Sequence, residues 1–212
     1  MPTYHAPLTD MRFVYHELAD GDSLAELPAF REATPDIVDA VLDEAGKLAR
    51  DVLQPLNRSG DEQGCSYENG VVRTPDGFDD AYRQFREGGW TSLACDPQYG
   101  GQGLPNLLNF MVEEMVCATN LAFGTYPGLT HGAISALHEH GSEELKDTYL
   151  EKLISGEWTG TMCLTEPQCG TDLGQVRTRA VPQADGSYRI TGTKIFISSG
   201  DHDLAENLVH IV

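Results

Sequence analysis

The sequence predicts an α+β protein, an all-helical domain followed by a partial antiparallel β-domain. Three observations carry this. Apolar residues recur at helical spacing as far as about residue 156. Beyond Gly156 the period changes to two, and glycine and proline turn signals separate the segments. The expected division is an N-terminal extension over 1–33, a helical domain over 34–156 and an incomplete β-domain over 157–212.

Composition sets the class. With 212 residues, 40% apolar and 22% charged, the chain can bury a sizeable core and is not of disordered composition. No apolar run approaches the roughly 20 residues that span a bilayer. The opening MPTYHAPLTDMRF lacks the basic-then-apolar order of a secretory signal, so the expected compartment is the cytoplasm. A net charge of −19 argues against nucleic acid as a partner, which requires a clustered positive footprint. It leaves room for a nucleotide cofactor, because backbone amides and hydroxyls can hold a pyrophosphate. The five cysteines are odd in number and form no C-x-x-C pair, so neither a disulfide framework nor a zinc site is expected. His131, His138 and His140 cluster without a carboxylate or thiol at metal spacing, and no metal is assigned to them.

The helices follow in order. Thr34-Pro35 is a start signal, with a capping hydroxyl before proline at the first helical position. Ile37, Val41, Ala45, Leu48 and Val52 then form the expected buried stripe. Phe78, Tyr82 and Phe85 make a shorter stripe that stops at Gly88-Gly89. Leu107, Leu108, Met111, Val112, Met115 and Val116 make another, entered from the loop Tyr99–Pro105, and a fourth covers roughly 128–140. The last helix begins at Ser142, with Glu143 and Glu144 suiting its dipole, and ends at Gly156. The Tyr99–Pro105 loop fails as a phosphate loop, because Asn106 stands where G-x-G-x-x-G needs its third glycine and no strand precedes it.

In the second part, Trp158, Gly160, Met162 and Leu164 alternate with Thr159, Thr161, Cys163 and Thr165. Val176, Thr178 and Ala180 alternate with Arg177, Arg179 and Val181, and Pro182–Gly186 signals a hairpin loop. A second strand-like stretch ends in Lys194-Ile195-Phe196-Ile197-Ser198-Ser199-Gly200. Val212 falls inside an apolar, strand-like run with no turn signal after it, which leads us to expect a longer protein.

Two segments, Met162-Cys163-Leu164-Thr165-Glu166-Pro167-Gln168-Cys169-Gly170-Thr171-Asp172 and Lys194–Gly200, resemble the flavin-binding signatures of the acyl-CoA dehydrogenase family. Thr171 stands for the usual serine, Phe196 for tryptophan and Ser198 for threonine. The resemblance implies FAD as cofactor, held by Met162, Cys163, Leu164, Thr165, Gly170, Thr171, Phe196, Ile197 and Ser198. Thr165 would address the N1/O2 side of the ring, Ser198 would bond N5 and Phe196 would cover one face. Thr171 would reach the phosphate or the substrate pantetheine. Glu166 is assigned a structural role, because the matching family residue is not the base.

The implied reaction is α,β-dehydrogenation of an acyl-CoA, with electrons passing to an electron-transfer flavoprotein or another acceptor. The family's catalytic glutamate lies beyond this chain, so no catalytic residue is assigned. The C-terminal helical bundle is likewise absent, and the isolated chain is expected to be inactive. A homodimer or homotetramer is implied for the full-length form. The alternatives are a non-catalytic remnant that binds acyl-CoA or a partner, and an acyl-CoA oxidase on the same scaffold. Tyr4-x-Ala6-Pro7-Leu8-x-Asp10-Met11-Arg12-Phe13 is similar to the extension of the branch containing 3-methylmercaptopropionyl-CoA dehydrogenases. The helix entered from the YGG-x-GLP loop would place Leu108, Met111, Val112 and Met115 near the acyl tail, with His131 close to the same pocket.

Overall fold

The computed structural model describes residues 3–212. Helix α1 (Leu8–Arg12) runs into a π-turn over Phe13–Leu18 and lies against α2 (Pro35–Leu48). Pro35 starts α2 as expected, but the Thr34 hydroxyl makes no cap; only its carbonyl accepts the Val38 amide, at 2.9 Å. The buried face is Val38, Leu42, Ala45, Ala49 and Leu53, whereas Ile37 is 46% exposed. The expected stripe is therefore offset by about one residue. Apolar side chains cover a broad arc of this helix, and the face that meets α5 is the one carrying Val38 and Leu42. The other side, with Ile37, Val41, Leu48 and Val52, lines an open groove beside Trp90. A π-turn at Ala49–Leu53 joins α2 to α3 (Gln54–Gln63).

A short hairpin, β1 (Ser66–Glu68) and β2 (Val71–Arg73), turns at Asn69-Gly70, both with positive φ. Asn-Gly is the sequence that such a two-residue turn selects. Helix α4 (Phe78–Glu87) buries Phe78, Tyr82 and Phe85 as the spacing predicts. Phe78 and Phe85 meet Phe123 edge-on at 6.0 and 5.7 Å. Tyr82 donates to the Gly156 carbonyl at 3.1 Å, and burial pushes its phenol up to about 12.

The two expected central helices form one kinked element, α5 (Asn106–His140). The break is Asn120, at φ −155° and ψ 83°. Its side chain accepts from the Phe123 amide at 3.0 Å and donates to the Leu53 carbonyl at 3.3 Å, so it caps the second half while tying it to the first helices. Ser142 caps α6 (Glu143–Ile154) by accepting from the Leu145 amide, and Gly156 ends it in the left-handed region.

Among the described residues the strands form three separate pairs. One pair corrects the expectation of an antiparallel sheet: β3 (Trp158–Met162) pairs in parallel with β6 (Asn207–Ile211), Trp158 opposite Asn207 and Met162 opposite Ile211. The antiparallel pair is β4 (Arg179–Pro182) with β5 (Tyr188–Thr191), turned at Asp185-Gly186 and exposed on both faces. β3 lies directly on α5. A Cβ on Gly160 would stand 2.4 Å from the Ala133 Cβ, so only glycine lets strand and helix approach this closely. Three apolar clusters fill the space between these elements, the largest beneath α2 and the first half of α5.

Candidate functional site

The site grows from the end of β3. Alternation turns Thr159, Thr161 and Cys163 inward and leaves Met162 and Leu164 outward, 39% and 47% exposed. This is the reverse of the usual polarity, and each inward polar group is matched. Thr159 meets His202 Nε2 at 3.0 Å, and Thr161 meets His210 Nδ1 at 2.8 Å. The Leu204 amide donates to His202 Nδ1 at 3.1 Å, which leaves the ring proton on Nε2. Burial lowers the pKa of this imidazole below its ordinary value. The Cys163 amide donates to Ile211 in the ladder at 2.7 Å, and its thiol lies 3.7 Å from His210. The thiol therefore stays apart from the outward face of Met162 and Leu164.

After Thr165 the chain folds into a tight loop in which Glu166 and Cys169 exchange backbone hydrogen bonds of 2.9 and 3.0 Å. Glu166 is 3% exposed. Its carboxylate accepts from the amides of Arg177 at 2.8 Å and Thr178 at 3.0 Å, from Gln168 Nε2 at 2.6 Å and from Lys194 Nζ at 3.0 Å. Thr178, the Arg177 amide and the Lys194 ammonium hold this carboxyl far below the ordinary carboxylate range, against the opposing effect of burial. A carboxylate with four donors and so low a pKa is no general base. Its structural role stands on that geometry.

The stretch Lys194–Gly200 is not the expected strand. It runs as an extended loop, tied to the first segment where the Ile195 amide donates to the Thr165 carbonyl at 2.9 Å. Among the described residues no strand pairs along it, and Phe196 and Ser199 both take positive φ, which interrupts a strand. Ser199 pairs with the Thr125 hydroxyl of α5 at 3.0 Å. Phe196 projects its ring 88% exposed. Ile197 is half-buried beside it and Ser198 exposed.

The Ile195–Thr165 and Lys194–Leu164 bonds bring the two segments side by side, with Met162, Leu164 and Phe196 as their exposed apolar members. The hydroxyls of Thr165, Thr171 and Ser198 have no partner among the described residues. At Gly170 a Cβ would meet nothing within 4 Å. An exposed aromatic ring, two exposed aliphatic side chains and unspent hydroxyls fit a flat, largely apolar ring system edged with hydrogen-bonding atoms. The residues present thus fit a flavin. Lys194 and Ser199 are the site-building residues that sequence reasoning passed over. A lone cation in an apolar run was the available signal for Lys194.

Other sites behave differently. The Tyr99–Pro105 loop folds back on residues 92–97, its amides from Tyr99 to Leu104 all donating to protein carbonyls, so none is left for a phosphate. Leu108, Met111, Val112 and Met115 are buried in the core; of these four only Val112 reaches a small, partly open cavity of about 70 Å³ between the two halves of α5. Asn109, Glu113, Gly124, Gly128 and His131 also line it. Gly132, one residue on from His131, faces Met162; a Cβ there would stand 3.8 Å from Met162 Cγ. His138 pairs with Asp96 at 3.0 Å. Among the described residues no group of His, Cys, Asp or Glu is arranged to hold a metal, and no helix is long and apolar enough to cross a membrane.

Known proteins resemble this chain in sequence and fold. The model of the acyl-CoA dehydrogenase N-terminal domain matches residues 36–157, more than half of the chain. The 3-methylmercaptopropionyl-CoA dehydrogenase of Ruegeria pomeroyi is 46% identical over 210 residues, covering 99% of this chain and 36% of that protein. A butyryl-CoA dehydrogenase of Syntrophomonas wolfei is 37% identical over 99% of this chain and 35% of its own. The solved acyl-CoA dehydrogenase of Bacillus anthracis, complexed with FAD, superposes with a TM-score of 0.67 at 23% identity, over 82% of this chain and 28% of that one. The chain spans about a third of the length of the relatives it matches. A matched N-terminal domain and relatives aligned from end to end of the chain lead to one conclusion: the chain belongs to the acyl-CoA dehydrogenase family.

Proposed function

We propose that this chain supplies the flavin-facing surface and part of the acyl pocket of an FAD-dependent acyl-CoA dehydrogenase. The observation that supports the reading is the Ile195–Thr165 hydrogen bond, which brings exposed Met162, Leu164 and Phe196 and the hydroxyls of Thr165 and Ser198 together on two adjoining segments. When bound, FAD supplies the acceptor for the hydride that leaves the β-carbon of the acyl thioester. Phe196 would cover one face of the ring, and the Thr165 and Ser198 hydroxyls would donate to its polar edge. Such donors favour the reduced ring, where negative charge develops. Gly170 and Thr171 leave room for the phosphate or pantetheine. Met162 and Leu164 exclude water from the apolar side. The cavity lined by Val112, Gly128 and His131 would take the start of the acyl tail.

The domain limits 1–33, 34–156 and 157–212 belong to the same proposal, as do an acyl-CoA substrate, an electron-transfer flavoprotein as acceptor, a cytoplasmic setting and a homo-oligomeric full-length form. We assign no base to this face, whose buried carboxylate, Glu166, already accepts four hydrogen bonds. The test is to titrate the chain with FAD, then add acyl-CoAs of several lengths and an artificial electron acceptor. The expected result is saturable FAD binding without dye reduction. Absence of FAD binding would overturn the flavin assignment, and turnover would overturn the assignment of no base to this chain.

A further inference from the structure

The two segments of the candidate flavin face lie about thirty residues apart, and the exposed β4–β5 hairpin stands between them. Few contacts hold them in register. One is the Ile195–Thr165 backbone bond. The others converge on Lys194, whose ammonium donates to the Leu164 carbonyl at 3.0 Å and to Glu166 Oε1 at 3.0 Å. Both partners are sequestered, the side chains of Lys194 and Glu166 being 14% and 2% exposed. Glu166 Oε1 also receives the Thr178 amide, and Oε2 receives the Arg177 amide and Gln168 Nε2. One buried carboxylate thus gathers the Thr165 loop, the stretch leading into β4 and the segment that returns from the hairpin.

A second observation points the same way. Two residues beyond Lys194, Phe196 holds a left-handed φ of 55°, a conformation a bulky residue keeps only when its surroundings impose it. The Phe196 ring is almost wholly exposed and packs on nothing that could impose it. The restraint comes from its neighbours, through Lys194 and Ile195 on one side and through Ser199 on the other. Buried ion pairs add little net stability over apolar packing, but their directional bonds can fix register.

We propose that Glu166 and Lys194 form a positioning clamp that aligns the Leu164–Thr165 and Phe196–Ser198 segments into a single flavin-binding face. The proposal rests on the flavin reading above, so its test carries one readout that needs FAD and one that does not. Three variants of the chain serve: Lys194→Met removes the cation while keeping length, Lys194→Arg restores it, and Glu166→Gln keeps an acceptor without charge. FAD affinity is measured by flavin fluorescence titration. Exchange of the Ile195 amide, which reports its bond to Thr165, is measured by NMR without FAD, with the amides of α5 as folding control.

Lys194→Met and Glu166→Gln should each raise the FAD Kd about tenfold, the low end of what second-layer partners contribute at metal sites. The same variants should speed Ile195 exchange by a similar factor with α5 protection unchanged, and Lys194→Arg should return both readouts toward wild type. Wild-type Ile195 exchange and wild-type FAD affinity in Lys194→Met would overturn the clamp and leave the flavin reading standing. If the wild-type chain does not bind FAD, the flavin reading fails, and the exchange of Ile195 alone decides whether the clamp exists. Should Lys194→Met lose the α5 protection as well, Glu166→Gln decides, and unchanged exchange there would overturn the proposal.

Discussion

Phe196→Ala separates stability from cofactor binding. A phenylalanine buries on the order of 150–250 Å² when fully covered. At 88% exposure the ring leaves about 175 Å² uncovered, taking a middle value of ~200 Å² for that total. Stacking against one face of a planar cofactor would cover roughly half of this, and ~90 Å² at ~25 cal/mol per Å² is worth about 2 kcal/mol. That corresponds to a rise of about 30-fold in the FAD Kd. The apo chain should not suffer, since an exposed side chain away from the core changes stability by no more than about 0.5 kcal/mol. The assays are flavin fluorescence titration for affinity and thermal unfolding without FAD for stability. Normal affinity in the variant would refute the assignment of Phe196 to a flavin face. A large loss of apo stability would refute its reading as an unpacked ring.

Gly160→Ala should destabilise the apo chain by about 1–3 kcal/mol in denaturant unfolding, because the new methyl is driven into Ala133 between β3 and α5. Gly170→Ala should leave stability intact or raise it by about 0.4–1 kcal/mol through the unfolded chain, its φ not being positive, yet weaken FAD binding in the same titration. At the other end of the molecule, His16 places Nδ1 2.6 Å from Asp22 and Nε2 3.1 Å from Asp39. Only the imidazolium donates to both. Burial lowers its pKa, but the bonds to Asp22 and Asp39 outweigh it and raise the group above its ordinary 6.5. The contribution is therefore fully present below pH 6.5 and lost as pH rises through the raised folded value. Thermal melts of wild type and His16→Gln should differ at acid pH and converge above that window.

Local signals were legible wherever one residue decides the conformation. Pro35 and Ser142 start helices, Gly156 stops one, and Asp185-Gly186 turns a hairpin, each as its chemistry dictates. Asn69-Gly70 was equally legible as a turn signal and was passed over. Pairings between distant segments were not legible. Nothing in Trp158–Met162 says that its partner is Asn207–Ile211 or that the pair is parallel, because alternation fixes faces and not neighbours. The buried stripe of α2 failed for a related reason: a helix apolar over a wide arc does not say which part meets the core. The candidate site was proposed from the resemblance of the segments holding Thr165, Gly170, Phe196 and Ser198, and the structure brings those two segments side by side. The tie that assembles it, Lys194 to Glu166 and Leu164, depends on a loop closure that no local pattern encodes.

The most direct test of the central claim is an amide chemical-shift map of the isotopically labelled chain during titration with FAD. Shifts concentrated at Leu164, Thr165, Gly170, Thr171, Ile197 and Ser198 are the predicted result. Shifts confined instead to the groove between α2 and Trp90, or none at saturating FAD, would contradict the claim that these two segments form one flavin-binding face.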